Sequence, residues 1–116
     1  MRTIKFIVDG QVITRDQSCD FGKLVPGSEK YVKAEFAFSK EWNGRAKVVR
    51  FWSAMGREYE PQTLPDGKTC LIPSEALKKR VFKVQIMGKE GKSKILTNKV
   101  EVKQDGGRMR AKQITY

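Results

Sequence analysis

The tightest constraint on what this chain can fold into lies in one stretch. Ala34-Glu35-Phe36-Ala37-Phe38-Ser39-Lys40-Glu41-Trp42-Asn43-Gly44 is followed almost at once by Lys47-Val48-Val49-Arg50-Phe51. Phe36 and Phe38 stand two residues apart, so an extended backbone turns both rings to one side. Asn43-Gly44 offers the positive-φ residues of a hairpin-type turn, with Trp42 placed to plug the corner beneath it. The expectation is a buried strand, a tight corner and a second strand that returns at once. Phe36, Phe38, Trp42, Gly44, Phe51 and Phe82 form the expected core and corner. Trp42 has a second reading, as an exposed platform that stacks a base or a sugar; its place after two inward phenylalanines favours the core.

The rest of the chain repeats this period of two. Ile4, Phe6 and Val8 alternate with polar neighbours, and Asp9-Gly10 turns them into Val12-Ile13-Thr14, an N-terminal hairpin. Asp16 to Ser28 is rich in turn formers, with Gly22, Pro26 and Gly27 breaking any regular element. Val32, Ala34, Phe36 and Phe38 share one strand face, with Lys33 and Glu35 on the other. Ala46 to Ser53 is apolar on both faces and reads as a central strand, with Arg57 to Glu60 as its partner after the Met55-Gly56 turn. Pro73-Ser74-Glu75-Ala76-Leu77-Lys78-Lys79 carries proline and acid first and lysines last, the polarity of a short helix. Phe82, Val84 and Ile86 point inward from a strand that sends Lys83 and Gln85 outward, and Gly88 to Gly91 is read as a turn. Two further strands follow, around Lys94–Thr97 and Lys99–Lys103. The pattern predicts an all-β fold, an antiparallel β-sandwich of about seven to nine short strands with one short helix. One domain is expected over residues 1–105, with a basic C-terminal tail over 106–116.

Charge is the second strong signal. Lys and Arg number 24 against 13 Asp and Glu, a formal net charge of +11, and the excess is heavier toward the C-terminal half. Such a surface attracts polyanions in a salt-dependent way. Because the basic residues are spread along strands, the same charge also suits solubility or an acidic neighbour in an assembly. Weak nucleic-acid binding is the lesser expectation. The apolar runs fall short of the roughly 20 residues a membrane span needs, and the N-terminal one is too short for a signal peptide. A soluble protein made in the cytoplasm, with no membrane partner, is expected.

Cys19 and Cys70 lie far apart in a chain without histidine. Two thiolates cannot complete a four-coordinate zinc site. Free, partly buried thiols are expected, with an inter-strand disulfide as the other reading. Without histidine no Ser-His-Asp or Cys-His arrangement can form. Glu58 and Glu60 share a strand face, a placement that edge-strand charge explains. Gly88-Lys89-Glu90-Gly91-Lys92-Ser93 lacks the glycine spacing of a phosphate-binding loop. A non-enzymatic protein with neither cofactor nor metal is expected.

The residues also carry a family resemblance. The chain resembles a small β-sandwich module of tailed bacteriophages and prophages of Gram-positive hosts, found at the N-terminus of baseplate upper proteins and tail fibres or as a short protein by itself. The matching pieces are Ile4-Lys5-Phe6 with Gln11-Val12-Ile13, Tyr31 through Trp42-Asn43-Gly44 with Lys47 and Phe51, and Cys70 through Leu77. They continue through Phe82-Lys83-Val84-Gln85-Ile86-Met87-Gly88 and Leu96-Thr97-Asn98-Lys99-Val100-Glu101-Val102, so the match runs from about residue 2 to about residue 105. The resemblance implies a virion structural protein of the tail, baseplate or capsid surface, docked to other phage proteins in an oligomeric assembly. The chain departs from the pattern in ending soon after the sandwich, with no fibre shaft, and in being more basic. Those departures favour an alternative, a phage-encoded inhibitor of a host defence system (anti-CRISPR-like) or a basic nucleic-acid-binding protein on the same scaffold.

The expected interface residues are Trp52, which suits core or interface, and the tail residues Arg108, Met109, Arg110, Lys112, Ile114 and Tyr116. The tail reads either as a solvated end or as an arm that adds a strand to a neighbouring subunit. The second reading predicts weaker assembly on deletion of 106–116 with little change in the melting temperature of the isolated domain.

Overall fold

The computed structural model describes residues 1–104. The tail residues expected to form an arm, Arg108, Met109, Arg110, Lys112, Ile114 and Tyr116, lie outside the described residues. Among the described residues nine strands form two sheets, the β-sandwich that the alternating pattern implies. The first sheet is ordered β2-β1-β3-β6, from β1 (Arg2–Asp9), β2 (Val12–Arg15), β3 (Val32–Phe38) and β6 (Thr69–Leu71). The second is ordered β5-β4-β7-β8, from β4 (Ala46–Ser53), β5 (Gln62–Thr63), β7 (Val81–Glu90) and β8 (Ser93–Leu96); β9 (Val100–Lys103) also pairs with β7. The short helix α1 is Ser74–Leu77, with Ala76 and Leu77 fully buried.

One pairing departs from an all-antiparallel sandwich. β1 and β3 run parallel, from Arg2 beside Val32 to Val8 beside Phe38. The reason is topological: β2 takes one side of β1 as its hairpin partner, so β3 must reach the other side through residues 16–31. Parallel neighbours need such a long connection. The crossover is tied down along its length. The Arg2 guanidinium donates to the carbonyls of Asp20 at 2.9 Å and Gly22 at 2.6 Å. Phe21 sets its edge against Phe6 at 5.5 Å, Leu24 is buried, and the Gly27 N–H donates to the Leu77 carbonyl at 2.9 Å.

The tryptophan corner is also not a hairpin. β3 pairs with β1 and β6, whereas β4 pairs with β5 and β7, so the chain passes from one sheet to the other at this point. A short 3-10 turn, Lys40–Trp42, makes the climb. Asn43 keeps negative φ (−62°, ψ 133°) and only Gly44 is positive, at 77°. That is the combination of a type II turn, closed by the Arg45 N–H on the Trp42 carbonyl at 3.2 Å. The arch is pinned to the first hairpin. The Trp42 indole N–H donates to the Gly10 carbonyl at 2.8 Å, and the Gly10 N–H donates to Ser39 Oγ at 2.9 Å.

Trp42 is completely buried, with Phe38 at 5.4 Å and Phe6 stacked on Phe36 at 5.3 Å in the same apolar layer. Phe51 and Phe82 complete the core from the second sheet. Gly88 does not begin a turn; it lies inside β7, opposite Lys47, beneath the indole. A Cβ there would stand 2.5 Å from Trp42 Cζ3, so glycine leaves the space that the ring fills. The turn comes later, at Gly91-Lys92, with Gly91 at φ 58°. The partner expected for β4 at Arg57–Glu60 shrinks to a single bridge, Trp52 with Glu58, and the regular pairing passes to β5.

Candidate contact face

The outward face of the second sheet follows from strand register. Val49 and Phe51 turn inward from β4, so Val48, Arg50 and Trp52 turn outward. On β7 the same parity sends Lys83, Gln85, Met87 and Lys89 outward. Trp52 stands beside Lys83, which pairs with Glu101 of β9; Arg50 stands beside Gln85; Ala46 stands beside Lys89, which pairs with Lys94. The face is dominated by cations around one indole.

Trp52 is only half-buried, so it lies outside the fully buried core. Lys99 Nζ lies 3.6 Å from its ring centroid and the Arg50 guanidinium carbon 4.8 Å. Contacts of this kind contribute about 0.5–1 kcal/mol each at exposed sites. Arg50 is held by a second partner. Its Nε donates to Glu58 Oε2 at 2.8 Å and its Nη2 to Oε1 at 3.0 Å, a two-point clasp. That clasp holds the Glu58 carboxyl below its ordinary range and raises Arg50 further. Glu58 is therefore engaged in an ion pair. The Trp52 indole N–H is buried without a hydrogen-bond partner among the described residues.

Lys99 reaches the indole because of an interruption in the sheet. β8 pairs with β7 as far as Leu96 beside Met87, and β9 resumes at Val100 beside Val84. Between them one backbone bond remains, the Thr97 N–H donating to the Ile86 carbonyl at 3.1 Å, and side chains supply the rest. The Ile86 N–H donates to Thr97 Oγ1 at 3.0 Å, and Gln85 Nε2 donates to the Thr97 carbonyl at 2.9 Å. Gln85, expected to be solvated, is buried for this reason, at 9% exposure. Asn98 then crosses to the other sheet, accepting the Ile13 N–H on Oδ1 at 2.8 Å and donating Nδ2 to the Ile13 carbonyl at 3.2 Å. Lys99 leaves this fixed knot and lies over Trp52.

Of the site residues named from sequence, Trp42, Phe36, Phe51 and Phe82 lie in the core, Phe38 is half-buried beneath Lys47, and Gly44 turns the arch. The structure adds Arg50, Lys99, Glu58 and Asn98, none singled out as an interface or positioning residue from sequence. Asn98 stood in the Thr97-Asn98 segment of the family resemblance, which was the available signal. The two cysteines are unpaired, Cys19 half-buried and Cys70 buried. Burial, with Asp66 nearby, pushes the Cys70 thiol up to about 12. Among the described residues no group of three or more acidic or cysteine side chains gathers to hold a metal ion. The arrangement presents positive charge held against an aromatic ring, the means of recognising a carboxylate-rich or phosphate-rich partner. No family model, no curated protein and no solved structure matches this chain.

Proposed function

We propose that this protein is a bacteriophage virion component of the tail, baseplate or capsid surface, acting through contact with other structural proteins in an oligomeric assembly and without catalytic turnover. The family resemblance along residues 2–105 supports the phage setting. The observation that carries a docking role is the half-buried Trp52 set between Arg50 and Lys99 on a sheet face turned away from the core. Interfaces are enriched in such tryptophan and arginine anchors. A face of this sign fits a neighbour that presents carboxylates. Mass spectrometry of purified particles tests the proposal: multiple copies per particle support it, and absence from particles with the protein abundant in the infected cell overturns it.

The basic face also favours a second reading, an inhibitor of host defence or a nucleic-acid-binding protein. The net charge of +11 supports it. Lys99 covers the Trp52 ring, which leaves the backbone phosphates rather than the bases as the natural ligand. Gel shift at rising salt separates the readings, because phosphate-driven binding falls steeply as salt increases.

A further inference from the structure

We propose that the turn after β4, with the groove beside it, is a docking site for an acidic, apolar peptide segment of a partner protein. The proposal goes beyond the particle role and uses residues that adjoin the Trp52 face without belonging to it.

The turn presents an apolar side chain that the fold holds out in water. Met55 is 95% exposed, yet its backbone is fixed. Ser53 Oγ accepts the N–H groups of Met55 at 3.2 Å and Arg57 at 3.0 Å. The Ser53 N–H donates to the Arg57 carbonyl at 2.7 Å, the Gly56 N–H to the Ser53 carbonyl at 3.1 Å, and Gly56 takes a φ of 94°. Single exposed apolar residues are ordinary on a surface. This one differs in being mounted on a closed hydrogen-bonded turn, so a partner would lose little loop entropy on seating it. Methionine also adapts its shape to irregular apolar partners.

The groove beside it supplies the complementary chemistry. Ser53 lies opposite Phe82 of β7, which sets the turn next to Val81 and the end of helix α1. A groove of about 610 Å³ forms there, with Met55, Tyr59 and Val81 giving apolar walls and Arg57, Lys79 and Arg80 the charge. Among the described residues no carboxylate lines it. All three cations are exposed, and none donates a side-chain hydrogen bond among the described residues. An apolar cleft whose charged lining among the described residues is all cationic selects a ligand that alternates apolar and acidic side chains. The chain's own C-terminal segment, with Arg108, Arg110 and Lys112, carries the wrong sign for this rim.

The test titrates the ¹⁵N-labelled full chain with a short synthetic peptide alternating Glu and Leu, and with its counterpart carrying Gln for Glu. The proposal expects amide shifts concentrated at Ser53–Arg57 and Lys79–Val81. It also expects the Glu peptide to bind about tenfold more tightly than the Gln peptide at low salt, as several carboxylates facing three exposed cations imply. The Arg57→Glu/Arg80→Glu double variant should lose that preference and Met55→Ser should weaken both peptides, while spectra elsewhere confirm the fold. Equal binding of the two peptides, unchanged binding by the double variant, or shifts confined to Arg50, Lys83 and Lys99 would each overturn it. So would a single-stranded oligonucleotide that produces the Ser53–Arg57 shifts at lower concentration than the Glu peptide.

Discussion

A methyl group added at Gly88 would meet two carbons of the Trp42 ring, at 2.5 Å and 2.8 Å. The indole is buried on all sides and tied to Gly10, so it cannot swing away. Gly88→Ala is therefore expected to lower stability by about 1–3 kcal/mol, the range for overpacking a filled core, read as a fall in the urea midpoint. Trp42→Ala should cost more, about 3–5 kcal/mol, since it empties the same space. Trp42 as core was legible from sequence because two inward phenylalanines precede it. Gly88 was not: a glycine near Gly91 reads as part of the turn, and only the ring above it shows otherwise.

Two titrating groups make predictions at the same scale. Asp66 Oδ1 accepts the N–H groups of Lys68 at 3.0 Å and Thr69 at 2.7 Å, and Oδ2 accepts the Thr69 hydroxyl at 2.6 Å. These bonds favour the carboxylate and hold its pKa at about 2, below the ordinary 3.8. The folded value lies below the unfolded one, so the stabilisation is complete above 3.8 and is lost as pH falls through about 2. Acid unfolding curves should therefore be shallower in that window for Asp66→Asn than for the parent. At neutral pH the Cys70 thiol stays protonated and enclosed, so a thiol reagent should modify Cys19 first, with the order read by mass spectrometry under native conditions.

At the scale of elements, the knot at Thr97-Asn98 binds the two sheets along one side. Asn98→Ala leaves the Ile13 N–H and carbonyl without their partner, a loss of about 1–3 kcal/mol for partly buried groups. Faster hydrogen exchange at the Ile13 amide, beyond the global loss, is the checking measurement. Unchanged protection there would show that water replaces the amide without loss. Most strands were legible because apolar alternation is a local property of the chain. Their partners were less so. The same residues Asn43-Gly44 serve a hairpin or an arch between sheets, and what decides is that β3 takes β1 and β6 as neighbours and leaves no edge for β4. The parallel β1–β3 pair and the burial of Gln85 likewise depend on segments far away in sequence.

At the scale of the whole molecule, the sandwich separates its two tryptophans by role. Trp42 closes the core, and Trp52 stands outside on the basic sheet face with Arg50 and Lys99. Net charge announced a basic surface, but strand register was needed to gather Arg50, Lys83 and Lys99 around one ring. The proposed assembly role rests on this face, so removing the indole there should damage contact and spare the fold. The most direct measurement is the incorporation of Trp52→Ala protein into particles, by complementation of a deletion phage, alongside its melting temperature. A docking role for Trp52 predicts a near-parental melting temperature with incorporation reduced about tenfold or more, as loss of an aromatic anchor implies. Parental incorporation of the folded variant would contradict it.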